Sequence, residues 1–487
     1  NLVNPSSIVG TAISLLRFDP YFNSALNLPI DDPASAPLKE IIVNLCQAPV
    51  LLSLMAVCPL SDLTLEKRLE ALRAALLFQN SALSEIDNSS EILEFQIALA
   101  LQCFTNEYLY EETDKEASAL QELSKEVERK LSSGEQPKTF EILCLASYRI
   151  LGQYPWAHLL SLPASLEAIE RRLLLEFATE RALKSQIPVL GDISDDISSA
   201  VGNQYEEHPY PRWVNISLAP VPKTAEAILR KINSGSSVSE FSQIKVPQIL
   251  IAGCGTGQQS IQTTSKFKEC DVVAIDLSLS SLAYAKRKTE ELGFTNIKYK
   301  RADILNLRLL NQKFDIIECG GVLHHMNYPM DGWKALNDSL KPGGFMKIGL
   351  YSRLARKHIA SIREEIRQEA VGNSQKDMKK FRQKIINTEK THYKQITHSP
   401  DFYSMSMLRD LLFHEQEHYF DLPQIKDCLS QLGLLFYGFD DHRVVHNFQS
   451  SSHYNNTLYD LDSWNAFEKE NPATFAAMYQ FWCKKSG

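Results

Sequence analysis

The sequence predicts an α/β protein, a mostly parallel sheet with helices on both faces, preceded by an all-α domain. Three observations carry this. Apolar residues recur at helical spacing from residue 1 to about 200. From Val246 onward, short β-branched runs alternate with helical patterns, the signature of a parallel sheet. Between the two lies "YEEHPYPRWVN", whose prolines are incompatible with a regular helix.

In residues 1–200, "DLTLEKRLEALRAALLFQ" places Leu65, Leu69, Leu72 and Leu76 on one helical face. "LEFQIALALQCFTNEYLY" (93–110) is apolar nearly all round and predicts a helix buried inside a bundle. No 34-residue helical repeat is visible. Such a domain suits substrate recruitment and a scaffold or oligomerisation bundle equally. Residues 201–245 are expected to form a linker or lid, with "SGSSVSEFS" (234–242) as a flexible loop.

The chemistry begins at "VPQILIAGCGTGQQS". A buried strand, Ile249 to Ala252, runs into Gly253, Gly255 and Gly257, where glycine lets a ligand approach the backbone as strand turns to helix. The next strand, "CDVVAID", ends in Asp276, 19 residues past Gly257, where a carboxylate can accept both hydroxyls of a ribose. A dinucleotide fingerprint would need its third glycine at position 258, which is Gln258, so pyrophosphate binding is disfavoured. A third strand, "NIKYKRAD", ends in Asp303. A fourth, "KFDIIECGGVLHHM", leads to Gly320 and His324, and "LKPGGFMKIGLYS" supplies a Gly-turn and a fifth strand. All these polar ends fall on one edge of the sheet.

In this order the motifs resemble the class I S-adenosylmethionine-dependent methyltransferases, with a Rossmann-like sheet, over residues 246–350. The resemblance implies S-adenosyl-L-methionine as cofactor. It implies that the loop Gly253, Cys254, Gly255 and Gly257 faces the amino-acid part, Asp276 the ribose hydroxyls and Asp303 the adenine amino group, with Leu277 also among the cofactor-binding residues. Backbone from Ala302, Ile304, Cys319 and Gly320 would line the same cleft. "YEEHPYPRW" and the segment "RDLLFHEQEHYFDLPQIKDCLSQLGLLFYGFD" are also similar to parts of bacterial proteins in which a helical domain, often of tetratricopeptide repeats, precedes such a methyltransferase. The implied organisation is a helical domain (1–200), a linker or lid (201–245), the cofactor core (246–350), a substrate-cap insertion (351–422) and a C-terminal completion of the α/β domain (423–487).

"HEQEH" (414–418) matches the H-E-x-x-H string of zinc proteases. The commonest third ligand would lie six residues past the second imidazole, where Gln424 stands, and Pro423 stops any helix through His418. No metal is expected; His414 and His418 read as substrate-cap residues or as hydrogen-bonded structural histidines. If the acceptor must lose a proton, His325 or His324 lies in the right region to take it, although "LHH" could equally shape the cofactor pocket. Tyr205, Tyr210 and Arg212 suit a lid across the cleft, with Tyr351 at the end of the fifth strand; an interdomain linker packed by aromatics is the alternative reading of the first three.

Composition bounds the rest. A chain of 487 residues, 44% hydrophobic and 23% charged, is an ordinary globular protein of more than one core. Its net charge of −8 argues against general nucleic-acid binding. One region departs: residues 352–392 hold 11 Lys or Arg against 5 Asp or Glu, which suits either a solvated face or recruitment of an acidic or polypeptide substrate. Nine cysteines without a C-x-x-C pair predict reduced thiols, hence a cytoplasmic protein, and no membrane span is expected. The chain opens on Asn1 rather than Met, which is compatible with an upstream segment. The expected function is methyl transfer to an unidentified acceptor, with a slight lean to protein or peptide. The competing readings are a catalytically inactive cofactor-binding or protein-interaction module and a nicotinamide oxidoreductase.

Overall fold

The computed structural model describes residues 4–30, 32–79, 90–233, 244–451 and 457–486; the loop expected at 234–242 lies outside them. The chain forms two compact units. One comprises residues 1–180, 212–216 and 369–411, the other 181–211, 217–368 and 412–487.

The first unit is helical. Leu65, Leu69, Leu72 and Leu76 of helix Leu63–Phe78 are all buried, as their spacing predicts. The neighbouring pair Leu38–Cys46 and Pro49–Val57, bent by 90° between its halves, sends Ile41, Ile42, Leu45, Leu51 and Met55 into the same core. Among the described residues no single helix is long and apolar enough to cross a membrane. Helix Ser90–Thr105 is buried at Phe95, Leu99, Ala100 and Cys103 but ends five residues before the apolar run does. Glu107 and Tyr108 there take positive φ (58° and 57°), a turn closed by Tyr108 N–H on the Cys103 carbonyl at 2.7 Å and Leu109 N–H on Asn106 Oδ1 at 3.3 Å.

Residues 369–411 belong to this helical unit. Arg382, from helix Gln375–Ile386, forms a bidentate pair with Glu66 at 2.6 and 2.7 Å, both side chains nearly fully buried, and its Nε donates to the Phe402 carbonyl at 2.9 Å. Lys379 donates to the Tyr110 carbonyl at 2.9 Å. Lys384 and Lys394 pair with Glu369 and Glu389. Three cations of the basic stretch, Lys379, Arg382 and Lys384, are therefore engaged by contacts inside this unit.

The second unit is built on an eight-stranded sheet: β1 (Val189–Leu190), β2 (Gln248–Ala252), β3 (Asp271–Asp276), β4 (Ile297–Ala302), β5 (Phe314–Gly320), β6 (Leu340–Leu350), β7 (Leu434–Phe439) and β8 (Tyr479–Lys485). Their spatial order is β1-β4-β3-β2-β5-β6-β8-β7. All pairs are parallel except those of β8, which runs antiparallel to both β6 and β7. Both faces are covered, and the strand period shows it. Leu250 and Ala252 of β2 join a core with Trp333 and Leu336 of helix Pro329–Ser339, whereas Ile249 and Ile251 join one with Leu282, Ala283 and Ala285 of helix Leu279–Glu291. From β2 the chain moves outward to β3 and β4, then returns to the other side of β2 as β5 and β6. The order thus reverses beside β2, which is where open α/β sheets bind ligands, outside the carboxyl ends of the strands.

Candidate functional site

At the reversal point β2 turns through Gly253 (φ 71°), Gly255 (φ 51°) and Gly257 (φ 81°), the last opening helix Gln258–Lys266. The close approach that these glycines permit is made by the chain itself. A Cβ on Gly253 would collide with the Val322 side chain, and one on Gly255 would sit 2.5 Å from the Tyr210 carbonyl oxygen.

Asp276, at the tip of β3, turns into this bend. Its Oδ2 accepts the Gly255 N–H at 2.8 Å and its Oδ1 the Ser278 N–H at 3.0 Å. Burial pushes its carboxyl upward, opposed by the N–H groups of Ser278, Gly255 and Leu277. Each oxygen keeps a lone pair for a further donor. Asp303, at the tip of β4, is buried and caps Leu305 N–H through Oδ1 at 2.9 Å; among the described residues its Oδ2 receives no hydrogen bond. Ala302, Ile304, Cys254 and Cys319 are buried around these ends, with Leu277 and Gly320 half-buried. Across from the bend, the Gln259 amide lies 3.5 Å from where a Cβ on Gly320 would stand, and its Nε2 donates to the buried Glu318 at 2.8 Å. Two carboxylates with spare acceptor capacity, ringed by backbone, fit a nucleoside with hydroxyl and amino donors.

Six other candidates form one ring-to-ring array. Tyr210 stacks on Tyr205 (6.2 Å), Tyr205 meets His414 (5.7 Å), and His414 stacks on His325 at 3.6 Å. His325 meets His324 at 4.3 Å, and His324 lies 3.8 Å from the Tyr351 ring. The Arg356 guanidinium covers Tyr351 at 3.5 Å and pairs with the buried Glu417 at 3.2 Å. His325 Nδ1 lies 2.7 Å from the Gln416 carbonyl, so in the neutral ring Nδ1 carries the proton and Nε2 is the acceptor. Burial holds His325 down to about 4, against the opposing pull of Glu417. His324 is fully buried with neither ring nitrogen hydrogen-bonded among the described residues, and burial lowers its pKa well below the usual range.

The segment "HEQEH" is not helical. Helix Met405–Leu412 ends before it, and residues 413–419 are irregular. His414 Nε2 turns to the Tyr205 hydroxyl at 3.1 Å, while His418 Nε2 lies 3.1 Å from the Met326 carbonyl and its N–H donates to the His324 carbonyl at 2.7 Å. The helical face that a zinc protease needs for its two imidazoles does not exist here. Arg212 is not brought to the array. It belongs to the helical unit, between Glu107 (3.9 Å) and Glu180 (3.8 Å) and over the Phe104 ring.

Sequence reasoning passed over Glu206, Ser278, Gln259, Arg356 and Glu417. Only Ser278 carried a legible signal, as a helix N-cap directly after the Asp276 strand tip. A cavity of about 570 Å³, between the end of β7, the start of helix His442–Ser450 and residues Thr474–Met478, opens at the same sheet edge.

Residues 249–344 match the family described as "Methyltransferase domain". An uncharacterized protein of Synechococcus sp. is 25% identical over 266 residues, 53% of this chain and 64% of its own length. The (S)-coclaurine N-methyltransferase of Papaver somniferum is 31% identical over 108 residues, 22% of this chain and 30% of the enzyme. The solved structure of PKMT2 from Rickettsia typhi in complex with AdoHcy is similar at 16% identity, over 55% of this chain and 54% of that one, with a TM-score of 0.39. The chain spans less than two thirds of the length of these relatives. The glycine bend at the sheet reversal and the aspartate turned into it both lie inside the matched segment, and residues 249–344 of the α/β unit thus carry a methyltransferase domain.

Proposed function

We propose that the protein transfers a methyl group from S-adenosylmethionine, by in-line displacement, to an acceptor presented at the imidazole end of the aromatic array. The observation that carries this is the Asp276 carboxylate, held by the Gly255 and Ser278 N–H groups at the tip of β3 and facing the bend at the sheet reversal. In this reading Asp276 receives the ribose hydroxyls, Asp303 the adenine amino group, and the backbone of 253–257 the amino-acid part. The cofactor supplies an electrophilic methyl group, so the protein's task is to align a nucleophile and exclude water.

His325 suits alignment better than proton storage. A ring whose pKa is pushed down to about 4 is unprotonated at neutral pH and offers Nε2 as an acceptor, yet it is a weak base. It would orient an acceptor N–H or O–H whose proton passes to solvent after transfer, with S-adenosylhomocysteine as the leaving group. Buried and without bonded nitrogens, His324 supports His325 by packing. Tyr205, Tyr210 and His414 close the array against water.

A helical unit that occupies residues 1–180 together with 369–411 is more than a small metabolite requires, which favours a polypeptide acceptor. The deciding experiment is incubation with labelled methyl donor and fractionated lysate. Label in macromolecules supports the polypeptide acceptor, label in small molecules replaces it with a metabolite, and no incorporation in any fraction counts against methyl transfer.

A further inference from the structure

One short segment touches both halves of the proposed site. Residues 204–211, the last turn of helix Asp196–Glu207 and the stretch after it, bond to the loops that follow β2 and β3. The Tyr210 carbonyl accepts the Thr256 N–H at 3.4 Å, the Pro211 carbonyl accepts the Thr256 hydroxyl, and the Tyr205 carbonyl accepts the Ser278 hydroxyl at 3.0 Å. Toward the imidazoles, Gln204 Oε1 accepts the Glu415 N–H at 3.3 Å and the Tyr205 hydroxyl meets His414 Nε2 at 3.1 Å.

A single carboxylate fastens this segment to the cofactor edge. Glu206 Oε2 accepts the Ser280 N–H at 2.9 Å and shares with the Tyr205 carbonyl the single Ser278 hydroxyl proton, at 3.0 Å. Its Oε1 takes Lys184 Nζ at 2.7 Å, and that ammonium also donates to the Ser280 hydroxyl at 2.6 Å. Ser278 and Ser280 sit at the start of helix Leu279–Glu291, whose first N–H groups lack helical partners and favour an anion. That helix start follows Asp276 by two residues, so the anchor of the strap and the proposed ribose acceptor share one loop. Burial alone would raise the Glu206 carboxyl, but Lys184 and Ser280 hold it down to about 2, so the latch stays charged at neutral pH.

We propose that Glu206 is a positioning residue for the methyl transfer: its carboxylate latches residues 204–211 across the cofactor edge, which retains the cofactor and fixes Tyr205 and His414 behind His325. This rests on the methyltransferase reading above. Glu206 touches neither cofactor nor acceptor in this proposal and acts through the strap. With the Glu206 and Lys184 side chains 39% and 36% exposed, the pair adds little to stability, and what sets the latch apart from an ordinary surface pair is its effect on cofactor release.

The test needs no acceptor. S-adenosylhomocysteine binding to the full chain is measured by calorimetry and its release rate by stopped-flow, with thermal unfolding alongside. Glu206→Ala is expected to release the ligand about tenfold faster or more, as loss of charge-assisted hydrogen bonds predicts, with little change in the unfolding midpoint. Glu206→Gln, which keeps an acceptor for the Ser280 N–H, should recover part of the loss. If Glu206→Ala does not fold, Lys184→Met reads the same latch from its other side. Wild-type release rates in folded variants overturn the latch and leave the methyltransferase reading standing. A wild-type protein that binds no S-adenosylhomocysteine overturns that reading, and the latch with it.

Discussion

Replacing Asp276 with asparagine separates the two tasks assigned to that side chain. In the free protein its oxygens accept the Gly255 N–H at 2.8 Å and the Ser278 N–H at 3.0 Å, with the Leu277 N–H also favouring the charged form. Asparagine has one acceptor oxygen and one amide nitrogen, so one of these N–H groups must face another donor. The bend loses a charge-assisted bond of about 1.5–3 kcal/mol and gains an unsatisfied N–H costing about 1–3 kcal/mol, partly relieved by local shifts. Cofactor affinity falls further, because the remaining lone pairs that would take the ribose hydroxyls lose their charge. A single such bond is worth at least about tenfold in affinity. Calorimetry with S-adenosylhomocysteine reads the second effect and thermal denaturation the first. The two must be measured on the same preparation, because a loosened bend alone would weaken binding. Burial also raises the Asp276 pKa, so the ionised acceptor form, and affinity with it, should be lost on acidification at a higher pH than an exposed aspartate would show. A folded Asp276→Asn protein that binds as tightly as wild type would refute the assignment of the bend as the cofactor site.

Gly255→Ala puts a Cβ 2.5 Å from the Tyr210 carbonyl oxygen at a φ of 51°, so it should cost at least about 1–2 kcal/mol of stability by thermal melt and lift the 210–211 segment. Glu66→Ala leaves the buried Arg382 guanidinium uncompensated and should destabilise the helical unit by about 3–5 kcal/mol in denaturant titration, whereas Glu66→Leu with Arg382→Met should recover most of it. Rapid proteolysis within 369–411 in the single variant would corroborate the loss. For His325 the folded pKa of about 4 lies below the unfolded value of about 6.5, so its contribution to stability is present above pH 6.5 or so and is lost as pH falls through about 4. Chemical denaturation of His325→Gln should show a shallower decline over that window than wild type. His414→Ala with His418→Ala should leave the metal content measured by elemental analysis unchanged.

The α/β unit was legible because its chemistry is written in contiguous runs. Strand β2 reaches its glycine bend in consecutive residues, Asp276 follows at the tip of the next strand, and the alternation of Ile249 and Ile251 with Leu250 and Ala252 marks a strand buried on both faces. What the sequence could not show lies in contacts of long separation. Arg382 reads as one more cation in a basic stretch, and only its bidentate pair with Glu66, 316 residues away, reveals that this side chain is interior to the helical unit. Arg212 stands two residues from Tyr210, yet the chain sends the two to different units. Helix Ser90–Thr105 stops short of its apolar run because Asn106, Glu107 and Tyr108 form a turn whose positive φ values no composition rule foresees. The H-E-x-x-H string failed for a related reason: spacing places two imidazoles together only if the backbone is helical, and here the segment is irregular.

The array of rings from Tyr210 to Tyr351 carries a further consequence for the division of labour. Its members come from four separate stretches, near 205, 324, 351 and 414, and each stretch also touches a different structural neighbour: the glycine bend, the end of β5, the end of β6 and the Arg363 side chain, which donates to the His414 carbonyl at 2.7 Å. A shift of the strap at Tyr205 is therefore felt at His414 through a hydrogen bond and at His325 through a stack of 3.6 Å, without passing through solvent. Packed rings at such separations have no void into which one member can relax alone. Alignment of an acceptor at His325 is in this view a property of the whole array, and the residues that fasten its ends, Glu206 at one and the Arg356–Glu417 pair at the other, should influence turnover as strongly as the imidazoles themselves.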